Sequence, residues 1–163
     1  MSKIKDTNNT PKLLKNLKQA ANTKVEVGVF GKQIALIVGV NEFGANIKVT
    51  KKMRGYLGAL GLHLKKSTNK IKIPERSSLR SSFDNKKNID QVFKFAQNVY
   101  DFNKDVNASM NALGVKMSAI IKKKISSNIP PSNHPFTIQQ KGGKNKTLIN
   151  RGVLLNSIRH ELK

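Results

Sequence analysis

Residues that could carry out catalysis are few in this sequence, and they do not fall into a catalytic or metal-binding spacing. His63, His134 and His160 lie far apart, and none belongs to a His-x-x-x-His or histidine–carboxylate pattern. The chain has no cysteine to act as a nucleophile or thiolate ligand, and no Gly-x-Ser-x-Gly segment. We therefore predict that the protein is not an enzyme, and we expect no cofactor and no metal site.

The nine acidic residues offer little general acid–base chemistry. Most of them stand beside lysines, which favours ion pairs with those lysines. Glu42 and Glu75 differ, because both stand in apolar surroundings at the ends of predicted elements. For both we expect a buried or interfacial ion pair with Arg76, Arg80 or Arg151 in preference to catalysis.

Positive charge is the strongest feature of the composition. The chain has 31 Lys+Arg against 9 Asp+Glu, so its formal net charge is +22. Residues 1–83 carry +13 and residues 84–163 carry +9, so the charge does not come from a basic tail. Such a surface attracts polyanions and acidic proteins. A lysine-rich composition typical of AT-rich genomes explains the same count.

A small basic nucleic-acid-binding protein is therefore one functional hypothesis. A candidate polyanion contact is the triplet Lys122, Lys123 and Lys124, although a solvated helix end that complements the helix dipole explains it as well. The seven Phe and two Tyr stand mostly in core-like positions and do not alternate with basic residues for base stacking. No sheet motif for RNA binding is present. The charge supports affinity for a polyanion, but nothing in the sequence indicates base recognition.

The length and composition predict one domain with a small aliphatic core over residues 1–163. Hydrophobic residues make up 37% and aromatic residues 6% of the chain, with no Trp. The first residues lack the apolar core of a signal peptide. The longest apolar run, residues 34–40, is too short to span a bilayer. We expect a soluble intracellular product without a membrane partner.

Hydrophobic periodicity predicts an α+β fold, in which amphipathic helices pack on a small antiparallel sheet, with flexible loops or arms. Apolar stripes at helical spacing predict helices at residues 10–21, 34–44, 88–100 and 106–125. Alternating or short apolar runs predict strands at residues 24–31, 47–49, 71–73, 136–138 and 159–163. Three segments are predicted to be loose: residues 1–9, a glycine-rich arm or insertion at 51–70, and a loop at 139–146.

Pro74 marks a corner between a predicted strand and a helix-like run. Proline fixes φ and lacks a backbone donor, so it ends a strand or begins a helix. On a helix after it, Leu79 and Phe83 would share an apolar face, and Arg76 and Arg80 a cationic one. A corner with a purely structural role explains the segment as well.

Five short motifs follow one another along the chain. They are Val-Gly-Val-Phe at 27–30, Asn-Glu-Phe-Gly at 41–44, Ile-Pro-Glu-Arg-Ser-Ser-Leu-Arg at 73–80, Pro-Pro at 130–131 and Leu-Ile-Asn-Arg-Gly-Val-Leu-Leu-Asn-Ser-Ile at 148–158. Their order and spacing, over roughly residues 24–160, resemble the tailed-phage virion morphogenesis and tail-completion proteins, a family of neck proteins. The chain departs from that pattern at Ser78, where the family usually has Phe, and at Asn150-Arg151, where it usually has Asp-Thr.

The resemblance implies a structural virion protein of the head–tail junction, made in the bacterial cytoplasm. Such a protein forms a homo-oligomeric ring, expected as a hexamer, that completes or terminates the tail and provides the surface for head attachment. Implied partners are tail-tube or sheath proteins, connector proteins and the DNA that passes through the neck. We expect substitution of Arg76 or Leu155 to impair assembly more than folding. The expected assembly contacts are Asn41, Glu42, Phe43, Pro74, Glu75, Arg76, Leu79, Arg80, Arg151, Leu154 and Leu155.

Overall fold

A computed structural model describes residues 9–99 and 105–163, which fold into eight helices and four strands. The α+β class predicted from periodicity is confirmed. In chain order the elements are α1 (Thr10–Asn22), β1 (Val25–Val29), α2 (Lys32–Phe43), β2 (Ala45–Lys48), α3 (Lys51–Ala59), β3 (Lys70–Ile73), α4 (Arg80–Phe83), α5 (Lys86–Val99), α6 (Val106–Ser126), α7 (Pro135–Gln140), α8 (Val153–Ser157) and β4 (Ile158–Leu162).

The four strands form two separate antiparallel pairs, where the sequence predicts one small sheet. β1 pairs with β4, and Val29 lies opposite Ile158. β2 pairs with β3, and Ala45 lies opposite Ile73. Helix α2 lies between β1 and β2 in the chain, and these two strands belong to different pairs.

The core lies between the long helix α6 and the β1–β4 pair. Ile121, Ile125 and Ile158 are 0–1% exposed. Burial of an aliphatic side chain of this size contributes about 1.5–3 kcal/mol to stability. The side chains packed against these three are also mostly aliphatic, as the composition predicts: Val27, Val29, Leu79, Phe83, Leu148, Ile149, Leu154 and Leu155.

The glycine-rich segment 51–70 contains a helix, α3, so the prediction of a loose arm there is wrong. The Thr50 hydroxyl caps α3 by accepting a hydrogen bond from the Met53 amide at 3.1 Å. The Arg54 guanidinium donates to three backbone carbonyls of the loop 64–68 at 2.8–2.9 Å. These contacts offset the helix propensity that glycine lacks, which is about 1 kcal/mol per residue.

Three further predictions around short helices are corrected. Residues 136–138 belong to α7, not to a strand, because His134 Nδ1 accepts from the Phe136 amide at 3.2 Å and Pro135 suits the first helical turn. The predicted loop at 139–146 therefore starts only after Gln140. Helix α4 begins at Arg80, so Arg76 and Arg80 do not share a helix face.

Helix α1 begins at residue 10 as predicted, with Asn9 at its N-cap position. Helix α5 begins at Lys86, two residues before the predicted start at 88. The Asn85 side chain accepts a hydrogen bond from the Lys87 amide at 3.0 Å. The predicted loose segment 1–9 lies, except for Asn9, outside the described residues.

Candidate assembly site around Glu42 and Arg76

Three of the five sequence motifs meet in one place, which we name the motif junction and define as residues 41–44, 73–80 and 130–133. The Arg76 amide donates to the Asn41 carbonyl at 2.6 Å. Gly44 has φ of +70°, and a Cβ at this position would lie 2.9 Å from the Ile73 carbonyl oxygen. Glycine therefore permits both the end of α2 and the close approach of the two segments.

Glu42 is the buried centre of the motif junction, with only 4% of its surface exposed. Its Oε1 accepts from the Ser78 amide at 2.5 Å, the Ser78 hydroxyl at 2.9 Å and the Leu79 amide at 2.7 Å. Its Oε2 accepts from the Ser77 hydroxyl at 2.7 Å and the Arg80 amide at 3.3 Å. Within the described residues the predicted ion pair with an arginine is wrong, because amides and hydroxyls at the start of α4 satisfy this carboxylate.

The hydrogen bonds to Glu42 also set its pKa. Burial by itself raises the pKa of this carboxyl, since it disfavours the charged form. The hydrogen bonds from the Leu79 amide, the Ser77 hydroxyl and both donors of Ser78 outweigh that effect, so the pKa is lowered overall. Glu42 is thus ionised at neutral pH.

Arg76 is the second buried charge of the motif junction, and it too is held by the backbone. It is 7% exposed, and burial lowers its pKa. Its Nε donates to the Pro131 carbonyl at 2.8 Å, and its Nη2 donates to the Ser132 carbonyl at 3.1 Å. This side chain therefore joins the corner after Pro74 to the Pro-Pro motif, 55 residues further along the chain.

Glu42 and Arg76 are buried within the folded subunit, so we revise their predicted role from assembly contact to internal packing. A side chain with less than a tenth of its surface exposed contributes little of the area that a subunit–subunit interface buries. The expectation that Arg76→Ala impairs assembly more than folding is revised as well. Removal of the guanidinium would break the two hydrogen bonds that tie residue 76 to the carbonyls of residues 131 and 132, which is a folding defect.

The other predicted assembly residues divide between the surface and the core. Phe43, Arg80 and Glu75 form one exposed cluster. The Arg80 guanidinium lies 5.3 Å from the centre of the Phe43 ring and makes an ion pair with Glu75. Leu79, Leu154 and Leu155 pack against the core, Asn41 and Pro74 are half-buried, and Arg151 is exposed.

The lysine triplet proposed as a polyanion contact lies in the last turns of α6, as predicted. Lys123 is exposed, and Lys122 and Lys124 are half-buried. The three side chains therefore do not present one fully exposed cationic surface.

Helix α2 has an exposed apolar face formed by Leu36, Ile37 and Phe43, of which sequence reasoning named Phe43 and missed Leu36 and Ile37. The sequence did carry a signal for this exposed face. Residues 34–40 are apolar around the whole circumference of a helix, whereas a small domain covers only one side of a surface helix. Sequence reasoning also missed the serines. Ser77 and Ser78 donate to Glu42, so the position where the family usually has Phe here holds a hydrogen-bond donor.

The described part of the chain has neither a group of three acidic or histidine side chains placed to hold a metal ion nor a helix that could span a membrane. Comparison of the sequence and structure with protein-family models, curated proteins and solved structures found no match.

Proposed function

We propose that the chain is a non-enzymatic structural subunit of a phage head–tail junction. In this proposal it assembles as a homo-oligomeric ring, expected as a hexamer, that completes or terminates the tail and provides the surface for head attachment. The support is the ordered set of five motifs. Residues 41–44, 73–80 and 130–133 lie in contact within the motif junction, and residues 148–158 pack against the same core as Leu79.

The observation that carries the proposal is the exposed apolar face of α2. Leu36 is 71% exposed, Ile37 54% and Phe43 70%, whereas Val38 and Glu42 of the same helix are buried. An apolar face of this kind is normally covered by another protein surface. A ring subunit has such a surface available on its neighbour, because each interface in a closed ring joins two different patches of the same chain.

The experiment compares the oligomeric mass in solution of the wild-type chain with that of a double variant. The variant carries two serine substitutions on α2, L36S and F43S. We expect the wild-type chain to form a ring of fixed copy number and the double variant to remain monomeric. Because both side chains are exposed, we expect the unfolding free energy of the double variant to stay within about 0.5 kcal/mol of the wild type.

A matched control is F93S, since Phe93 is 65% exposed on α5 and lies outside the proposed interface. This variant should form rings like the wild type. A wild-type chain that stays monomeric at all concentrations and is missing from purified phage particles would contradict the proposal.

The alternative is a small basic nucleic-acid-binding protein, and the observation that favours it is the net charge of +22 spread over the whole chain. Under this alternative a monomer binds duplex DNA, and its affinity falls steeply with salt as counterions are released. Fluorescence anisotropy with a labelled duplex between 50 and 300 mM salt tests this. Salt-sensitive binding by a monomer, without rings, would favour the alternative.

A further inference from the structure

A cleft of about 570 Å³ opens between the α3 segment, β3 and α7. This volume lies within the range of known ligand sites, about 300–1,000 Å³. Most of its walls are apolar side chains, which come from segments far apart in the sequence. These side chains are Leu57, Leu62, Leu64, Ile71, Ile73, Pro74 and Phe136.

Two polar groups in the cleft lack partners within the described part of the chain. Thr147 is 7% exposed, and its hydroxyl makes no hydrogen bond. Arg76 also lines the cleft, and its Nη1 donates to no described residue, whereas Nε and Nη2 bind carbonyls. Buried polar groups in folded proteins nearly always have a partner, so the Thr147 hydroxyl has an unused donor at the wall of the cleft.

The charge of the cleft favours an anionic ligand. No acidic residue lines the cleft, whereas Lys72 and Arg76 do. Lys141 lies close by, since it donates to the Thr147 carbonyl at 3.3 Å. Its pKa is lowered, first by burial and then by the charge of Arg76, so these two cationic side chains lie close enough for their charges to interact.

One edge of strand β3 at the cleft is available for pairing with an extended peptide. β3 pairs with β2 on one edge, and no backbone hydrogen bond joins its other edge to a described residue. A free strand edge beside side-chain pockets is the arrangement that binds peptides by strand addition.

We propose that the cleft binds an extended acidic peptide segment of a partner protein. One aliphatic side chain of that segment occupies the apolar walls. A neighbouring Asp or Glu carboxylate accepts hydrogen bonds from Arg76 and Thr147, both of which are donors. The net charge of +22 favours acidic partners in general. The inference depends on the cleft alone and holds whether or not the chain forms a ring.

The test is selection from a random heptapeptide library displayed on ribosomes. We expect the selected peptides to share an aliphatic residue close to an Asp or Glu. The deciding variant is T147V. It removes a hydroxyl that has no partner in the chain, so the fold should be as stable as before or more stable. We expect it to weaken binding of the selected peptides about tenfold, and L57E, which places a carboxylate in the apolar wall, to abolish binding.

The control for nonspecific charge attraction is K94Q, because Lys94 is exposed on α5 away from the cleft. It should change peptide affinity less than twofold. Equal binding to the wild type, T147V and L57E would overturn the proposal, and so would selected peptides without an acidic residue. Binding of octanoate at the cleft without any peptide binding would also overturn it, in favour of a small carboxylate ligand. Ring formation by T147V is measured separately, so failure of the cleft proposal leaves the ring proposal to its own test.

Discussion

At the scale of single residues, two opposite charges lie in one junction and yet do not pair. Glu42 is satisfied by the amides and hydroxyls of residues 77–80, and Arg76 by the carbonyls of residues 131 and 132. A buried charge is tolerated when hydrogen bonds replace its hydration, whether or not an opposite charge is present. Each side chain therefore fixes a different pair of segments.

We predict that Glu42→Gln lowers the free energy of unfolding by about 2–3 kcal/mol, since hydrogen bonds to a charged group are lost and an NH2 group faces amide donors. The control is Glu75→Gln, which removes the exposed ion pair with Arg80. It should cost less than about 1 kcal/mol. Urea unfolding measures both. Equal losses for the two variants would contradict the role assigned to Glu42.

The contribution of Glu42 should depend on pH in a defined direction. Its folded-state pKa lies below the ordinary value of 4.5, so the unfolded chain takes up the proton first as the pH falls. The stabilisation is complete well above pH 4.5, declines below it and is lost as the pH passes the folded-state pKa. The difference in unfolding free energy between wild type and Glu42→Gln should therefore shrink between pH 6 and pH 3. A difference that grows over this range would refute the assignment.

At the scale of elements, helix α6 packs on the β1–β4 pair, and the hydrophobic core lies between them. Ile121 and Ile125 of α6 contact Ile158 of β4. Helix α6 packs tightly on β4 at Gly114, where an added Cβ would overlap the imidazole ring of His160 and lie 2.9 Å from the Cβ of that residue. Glycine here serves the packing of a helix on a strand, since its position in the helix requires no special φ.

Gly114→Ala should therefore destabilise the fold by about 1–3 kcal/mol, because the added methyl group forces α6 and β4 apart. The same substitution at Gly55 of α3 is the control, since no atom lies within 4 Å of a Cβ there. Gly55→Ala should stabilise by up to about 1 kcal/mol through helix propensity. Thermal or urea unfolding measures both signs. Stabilisation by Gly114→Ala would show that the packing is looser than the structure indicates.

At the scale of the whole molecule, the net charge of +22 works against the compact state. Exposed ion pairs such as Arg159–Glu161 and Lys163–Glu26 offset only a small part of it. The charge therefore makes the stability of the folded chain depend on the ionic strength of the medium.

We predict that the urea midpoint rises between 10 and 150 mM salt, over which the Debye length falls from about 30 Å to about 8 Å. A triple variant with glutamine at Lys12, Lys15 and Lys18, which are exposed on α1, should show a smaller rise. A midpoint that is unchanged or lower at 150 mM would mean that charge repulsion is not a significant term in the stability of this chain.

The elements that the sequence predicts well are those whose signal is local. The alternating valines of β1, the long apolar stripe of α6 and the helix stop at Gly44 depend on periodicity and backbone freedom within a few residues. The five sequence motifs include segments 41–44 and 73–80, and these two segments are in contact in the folded chain. Helix α3 was missed, because Arg54 ties it to carbonyls 10–14 residues further along the chain.

The charge and the α+β class follow from the sequence alone, since each depends on residue types and spacing. Which residues of the motifs are buried and which are exposed depends on how the chain folds. Glu42 and Phe43 are neighbours in one motif, yet one is 4% and the other 70% exposed. That difference comes from partners such as Ser78, 36 residues away, and burial by distant segments cannot be read from local pattern.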